Sequence, residues 1–248
     1  MSGTLVVTGG SRGIGAATAR LAAARGYAVC VNYRANRQAA EAVVDAIAKA
    51  GGKALAVGGD VAVEADVVRL FDEATSLLGP VAGLVNNAGI TGKVSRVAEV
   101  PLATLREVFD INILGAFLAA REAVRRMSTA RGGRGGAIVN LSSMAAFLGA
   151  PGEFVHYAVS KGAIESFTIG LAREVAREGI RVNAVAPGLI DTEIHAAAGL
   201  PDRVKQLAPS VPAGREGSAE EVAEAILWLL SDAASYVTGT SLRVSGGR

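Results

Sequence analysis

The chain is poor in the residues that usually carry redox, metal or nucleic-acid chemistry: 248 residues hold one cysteine, two histidines and few aromatics. A single cysteine, Cys30, excludes an intramolecular disulfide. Its place inside the apolar run YAVCVNY reads as core, since a reactive thiol needs an electropositive, partly open setting. No pair among His156, His195 and Cys30 has metal-ligand spacing, so no metal site is expected. No apolar run approaches the ~18 residues of a membrane span. The N-terminal MSGTLVVTGG moves straight into a strand-like run, without a basic region followed by a long apolar stretch. Net charge is +2, with Arg and Glu scattered and no basic block, which argues against a dedicated nucleic-acid binder. The string RGGRGG (131–136) is too short for an RNA-binding tract and reads as a loop between a helix end and a strand start. The expectation is a soluble cytoplasmic protein with neither a membrane nor a nucleic-acid partner.

What is present is aliphatic. Half of the residues are hydrophobic, so a sizeable core built from Ala, Val, Leu and Ile can form. Short β-branched runs alternate with longer helical patterns. The strand candidates are 4–9, 28–33, 53–59, 81–87, 136–143, 180–187 and 240–247; the helical stretches lie near 14–25, 36–50, 64–78, 102–128, 156–178 and 218–231. Most strand candidates are continuously apolar, as parallel strands covered on both faces are. The pattern predicts one α/β domain over residues 1–248, a doubly wound seven-stranded parallel sheet with helices on both faces. Ligands of such sheets bind outside the carboxyl ends of the strands, where strand order reverses. The segment 188–214, with several prolines and weak helical periodicity, breaks the rhythm on that edge and reads as a substrate lid.

Directly after the first strand, residues 8–15 read TGGSRGIG and open a helix. The spacing of Gly9, Gly13 and Gly15 differs from GxGxxG, but the physical demands are alike: a tight turn, close approach of a pyrophosphate, and helix packed on strand. The pyrophosphate would meet the free N–H groups and dipole of the helix N-terminus. The second strand then bears on cofactor choice. VNYRANRQ has no acid between Val31 and Ala40 to bond the ribose hydroxyls of NAD; Arg34, with Arg12 opposite, stands where a 2′-phosphate would lie. NADP(H) is therefore expected over NAD(H).

From Thr4 to Gly247 the chain resembles the short-chain dehydrogenase/reductase family, and seven motifs appear in family order. They are TGGSRGIG, Asp60-Val61, NNAG (86–89), Asn112 in FDINILGAF, Ser143 in IVNLSSMAA, YAVSK (157–161) and PGLIDT (187–192). The resemblance implies a Rossmann-type fold and a catalytic tetrad of Asn112, Ser143, Tyr157 and Lys161. It also implies cofactor contacts from Gly9, Ser11, Arg12, Gly13, Ile14 and Gly15, and from Asn32, Tyr33 and Arg34 after the second strand. Asp60 and Val61 would take the adenine, and Asn87, Ala88 and Gly89 the adenine-ribose end. Pro187, Gly188, Ile190 and Thr192 would hold the nicotinamide carboxamide. Tyr157 and Lys161 would contact the cofactor too. The family's common form is a homotetramer, with the helices near 102–128 and 156–178 pairing across one interface. Thirteen residues separate Ser143 from Tyr157, one more than the usual family spacing, so Ser142 stays open as an alternative to Ser143. The extra residue falls in FLGAPGEF beside the substrate.

Residue chemistry points the same way. Reducing a carbonyl by hydride builds negative charge on oxygen, which needs a proton donor. A free tyrosine, with a pKa of ~10, is poorly matched to neutral pH. Tyr157 and Lys161 are i and i+4 on one helical face, so the ammonium is expected to lower the tyrosine pKa. Ser143 would hold the substrate oxygen. Asn112 is either a relay to Lys161 through water or a polar residue satisfying a backbone group. His156 is turned roughly 100° from Tyr157 and is set aside, as is His195, a loop residue. Glu220 and Glu221 read as the solvated first turn of a helix.

The expected activity is an NADP-dependent interconversion of a carbonyl and a secondary alcohol. Reduction of 3-oxoacyl groups on acyl carrier protein and glucose-type sugar dehydrogenation are alternatives. Arg125, Arg126, Arg131 and Arg203 are candidate cations at the cleft mouth for a phosphopantetheine arm. A dinucleotide sensor without catalysis is a further alternative.

Overall fold

Alternate residues of each inner strand bury against opposite helical layers, which is why the strands read as unbroken apolar runs. The computed structural model describes residues 3–248, apart from the side chains of His195 and Ala197. The strands are β1 (Thr4–Val7), β2 (Ala28–Tyr33), β3 (Lys53–Gly58), β4 (Val81–Asn86), β5 (Gly136–Leu141), β6 (Ile180–Pro187) and β7 (Ser241–Val244). All pairings are parallel, in the order β3-β2-β1-β4-β5-β6-β7. Strand order therefore reverses between β1 and β4.

The helices are α1 (Gly13–Ala24), α2 (Arg37–Lys49), α3 (Glu64–Leu78), α4 (Leu102–Phe109), α5 (Ala116–Met127), α6 (Ala145–Leu148), α7 (Val155–Val175), α8 (Ile194–Ala197), α9 (Arg203–Leu207) and α10 (Ala219–Leu230). Leu5 and Val7 of β1 and Val29 and Val31 of β2 pack with α1, α2 and α10. Val6 and Cys30 face the layer of α3, α5 and α7. Burial pushes the Cys30 thiol up to about 12, which keeps it protonated and unreactive. Among the described residues no helix is long and apolar enough to cross a membrane.

Three details depart from the sequence reading. The stretch 102–128 is not one helix: Asp110–Gly115 forms a π-helical segment between α4 and α5. The widened turn lets the buried Asn112 side chain bond a neighbouring loop, and it brings Gly115 against Val61, 2.7 Å from where a Cβ would sit. The segment 188–214 is not structureless, since it carries α8 and α9. Glu221 is more than solvated: it completes a capping box with Ser218 and pairs with Arg215, which hold its carboxyl down to about 2. The RGGRGG stretch is a turn in which Gly132 and Gly135 take left-handed backbone angles.

A buried polar chain ties the second helical layer to the sheet. Asn86 Nδ2 donates to Asn140 Oδ1 (3.0 Å) and to the Ala116 carbonyl (2.9 Å), and Asn140 Nδ2 donates to Thr168 Oγ1 (2.9 Å). All three side chains are buried, so this pairing offsets their desolvation and fixes α5 and α7 over β4 and β5.

Candidate active site

The Gly-rich turn sits at the carboxyl end of β1, beside the reversal of strand order, and Asn87 staples it. Asn87 Nδ2 donates to the carbonyls of Thr8 (3.0 Å) and Gly9 (2.9 Å). The Thr8 hydroxyl accepts from the N–H groups of Asn87 (3.0 Å) and Ala88 (3.1 Å). Asn32 braces the other side. Its Oδ1 accepts from Gly9 N (3.3 Å) and its Nδ2 donates to the Gly59 carbonyl (3.0 Å). The buried Asn32 side chain is therefore spent on the scaffold and does not face the cleft.

The residues present fit a dinucleotide. At Gly15 a Cβ would lie 2.5 Å from both Asn87 Nδ2 and the Gly9 carbonyl oxygen; at Gly9, which has φ +60°, it would lie 2.9 Å from Ala88 Cα. Only a bare backbone forms this cradle. Among the described residues no side chain caps the N-terminus of α1, and no acid lies in its first turn, so its N–H groups are left for an anion. Ser11 and Ile14 flank the turn and are partly buried; Arg12, the residue before α1, is exposed. Further out, Tyr33 lies over Gly58. The Asp60 carboxylate accepts from Ala62 N (3.0 Å). Arg34 Nη1 stands 3.9 Å from Asp60 Oδ2 and 3.9 Å from Glu107 Oε1, bridging the two acids.

A cavity of about 290 Å³ opens at the carboxyl ends of β4, β5 and β6. Ile14, Asn87, Gly89, Ser142, Ser143, Tyr157, Lys161, Pro187, Gly188, Ile190 and Thr192 line its inner part. The two serines divide their work. The buried Ser142 hydroxyl donates to the Lys161 carbonyl (3.3 Å), whereas Ser143 hydrogen-bonds the Tyr157 hydroxyl and accepts from Ala145 N (3.1 Å). Ser143 is thus the serine joined to Tyr157.

Lys161 is 5% exposed. Its Nζ donates to the Leu141 carbonyl (2.6 Å) and lies 5.7 Å from the centre of the Tyr157 ring. Burial lowers its pKa to about 8, against the opposing charge of Glu165. The expectation that this ammonium lowers the Tyr157 pKa does not hold for the chain alone. Burial raises the phenol above its ordinary value, and only the Ser143 hydrogen bond opposes it. The physical reason is that Lys161 is turned onto Leu141 and away from the phenol oxygen.

Asn112 satisfies a backbone segment. Its Oδ1 accepts from Ile90 N (2.9 Å), and its Nδ2 donates to the Ile90 carbonyl (2.8 Å) and Ser160 Oγ (2.9 Å). It makes no direct bond to Lys161, although both side chains flank Gly89. His156 points into the protein, with Nε2 2.9 Å from the Thr91 carbonyl. The side chain of His195 lies outside the described residues. Of the cations named for the cleft mouth, Arg125 and Arg126 pair with the buried Glu122 on α5, and only Arg203 reaches the cavity.

Sequence reasoning missed Thr8 and Glu153. Thr8 stands at the head of the glycine motif, but its hydroxyl role depends on Asn87, 79 residues away. Glu153 has no local signal, because its partner Arg203 lies on α9, 50 residues downstream.

Comparison with known proteins agrees with this geometry. A family model described as Enoyl-(Acyl carrier protein) reductase matches residues 9–248. An uncharacterized oxidoreductase of Escherichia coli K12, YgfF, is 52% identical over 243 residues, covering 98% of each chain. The 3beta-hydroxysteroid dehydrogenase 1 of Eggerthella lenta is 42% identical, covering 98% of this chain and 92% of its own. The crystal structure of a short-chain type dehydrogenase/reductase from Mycobacterium marinum superposes with a TM-score of 0.92 at 37% identity, covering 98% of this chain and 94% of that one. The chain belongs to the short-chain dehydrogenase/reductase family. It is an oxidoreductase of the class acting on alcohol and carbonyl groups, and the family uses a nicotinamide dinucleotide.

Proposed function

We propose that the protein is an NADP-dependent oxidoreductase that interconverts a small-molecule ketone and its secondary alcohol, with Tyr157 as general acid and base. The observation that carries this reading is the Tyr157–Ser143 hydrogen bond inside a cavity that also holds Lys161 and the Pro187–Thr192 wall. The dinucleotide, when bound, supplies or accepts the hydride. The glycine turn and the α1 N-terminus would hold its pyrophosphate, Asp60 and Val61 its adenine, and Pro187, Gly188, Ile190 and Thr192 its carboxamide end.

The chain's own residues then manage the proton. Ser143 and Tyr157 direct their hydroxyls at one substrate oxygen and fix the carbonyl's orientation. Tyr157 stays protonated at neutral pH because burial raises its pKa, so it donates in the reduction direction. Lys161, mostly an ammonium at pH 7, would hold the cofactor's ribose hydroxyls beside Tyr157. Asn112 holds the Ile90 backbone and so positions the loop that ends at Gly89.

Two cations near the ribose end, Arg34 and Arg12, together with the lack of an acid after β2, support NADP(H) over NAD(H). A homotetramer is supported by apolar side chains left exposed on the α5–α7 side, namely Leu114, Phe117, Val159 and Ile169. The acyl carrier protein in the description of the matching family model, and a 38% identical relative named 3-oxoacyl-[acyl-carrier-protein] reductase, favour a second reading, reduction of 3-oxoacyl groups on that carrier. Against it, Arg203 is already paired with Glu153, which leaves Arg248 as the other arginine at the cavity.

The test is a panel of ketones, β-ketoacyl thioesters and sugars with NADPH or NADP, followed at the nicotinamide absorbance. Turnover of at least one class with the wild type, and its loss in Tyr157→Phe, is the expected result. Equal rates for the two proteins would overturn the catalytic assignment.

A further inference from the structure

The outer part of the cavity differs in chemistry from the inner part. Met144, Leu148, Phe154, Leu189, Ile194 and Leu207 give it an apolar wall. Into this wall comes one charged pair. Arg203 of α9 meets Glu153 of the loop before α7 through both guanidinium nitrogens, with Nη1 2.7 Å from Oε1. Arg203 also lies over the Phe154 ring, 5.4 Å from its centre. The pair is two-point, and the Arg203 side chain is 17% exposed against 40% for Glu153, so its arginine end is sheltered while its carboxylate keeps contact with water.

We infer that Glu153 and Arg203 are specificity-determining residues, which neutralise each other in the outer wall and select an uncharged, largely apolar ketone or secondary alcohol. This rests on the carbonyl–alcohol reading above and narrows its substrate class. A substrate carboxylate reaching Arg203 must displace Glu153, exchanging one anion for another and leaving two like charges side by side at the cavity mouth. A substrate ammonium meets the mirror-image conflict with Arg203. A sugar finds too few polar partners along the aliphatic wall to replace its water. An uncharged ring or chain displaces water from the wall and leaves the pair intact. Two other cations border the cavity. Lys161 is committed to the Leu141 carbonyl at the reacting end, and Arg248 lines the rim.

The experiment compares 4-methylcyclohexanone with the similarly sized 4-oxocyclohexanecarboxylate and 4-aminocyclohexanone, as kcat/KM ratios with NADPH. Wild type is expected to favour the neutral ketone over both charged ones by about tenfold or more. Glu153→Gln exposes the Arg203 charge and is expected to move the carboxylate-to-neutral ratio up by about tenfold, while Arg203→Met moves the ammonium-to-neutral ratio up. Melting curves confirm that each variant is folded, and the two variants fail independently.

A wild type that prefers the carboxylate, drawn for instance to Arg248, would overturn the inference. So would ratios that neither variant moves, the result expected if the pair merely ties two loops together. If no ketone is reduced, the carbonyl–alcohol reading is what fails. The selectivity is then read as binding by isothermal titration of the same three probes, with the same order expected and the same outcomes against it.

Discussion

Ser143 and Tyr157 share a hydrogen bond inside the cavity, while the neighbouring Ser142 turns its hydroxyl onto the backbone of α7. The two adjacent serines should therefore separate cleanly. Ser143→Ala is expected to lower kcat by about 10²-fold or more with cofactor affinity little changed, a loss typical of a group that orients the reacting oxygen. Ser142→Ala should keep kcat within a few fold and cost about 1 kcal/mol of stability through one lost buried hydrogen bond. Steady-state kinetics and urea melts on both variants decide it, and a larger kcat loss in Ser142→Ala would reverse the assignment.

Lys161 makes a prediction about pH. Its pKa is lowered from 10.5 to about 8 in the fold, so between those values the unfolded chain binds the extra proton. Stability contributed at this site therefore rises as pH climbs from 8 to 10.5 and is flat below that window. Measured against Lys161→Met at each pH, the wild type should gain urea resistance from pH 7.5 to pH 10. A constant difference across that range contradicts the lowered pKa.

The staple at Asn87 joins two carbonyls of the glycine turn to β4. Asn87→Ala should weaken dinucleotide binding by tenfold or more and lower stability by about 1–3 kcal/mol, since buried carbonyls lose their donor. Gly15→Ala should be at least as damaging to cofactor affinity, because its Cβ would stand 2.5 Å from the Asn87 amide and the Gly9 oxygen. Fluorescence titration with NADPH measures both, and unchanged affinity in either variant would show that the cradle lies elsewhere.

At the adenine rim, Arg34→Asp should narrow or reverse a preference for NADPH over NADH, by adding a partner for ribose hydroxyls and removing one for phosphate. Equal affinities for the two cofactors in the wild type would defeat the NADP reading before any variant is made.

Much of this architecture is legible in the amino-acid order. The apolar runs locate each strand to within a few residues because burial on both faces leaves little room for polar interruptions. The Tyr157–Lys161 pair is visible because both residues share one face of one helix. What stays hidden depends on partners distant in sequence. The π-helical turn holds Asn112, whose side chain bonds Ile90, 22 residues upstream, so nothing local marks it. The Tyr157 phenol is pushed up by burial, and Lys161 is taken up by the Leu141 carbonyl; both depend on other elements of the fold. Asn32 sits where a ribose contact is expected, yet the β2–β3 register draws its amide inward to the Gly59 carbonyl.

Helix α7 is held at both its leading end and its middle. Asn140 grips it at Thr168, deep over the sheet, while Tyr157 and Lys161 ride on the first two turns, beyond the strand ends. That leading end is tied to the strand ends and to the loop after β4 by several contacts: Ser142 to the Lys161 carbonyl, Lys161 to the Leu141 carbonyl, Asn112 to Ser160, and His156 to the Thr91 carbonyl. The 149–154 loop and α9, which meet through Glu153 and Arg203, stand outside these ties. Such a layout lets the outer loops be re-cut for a new substrate without resetting the machinery that handles the cofactor.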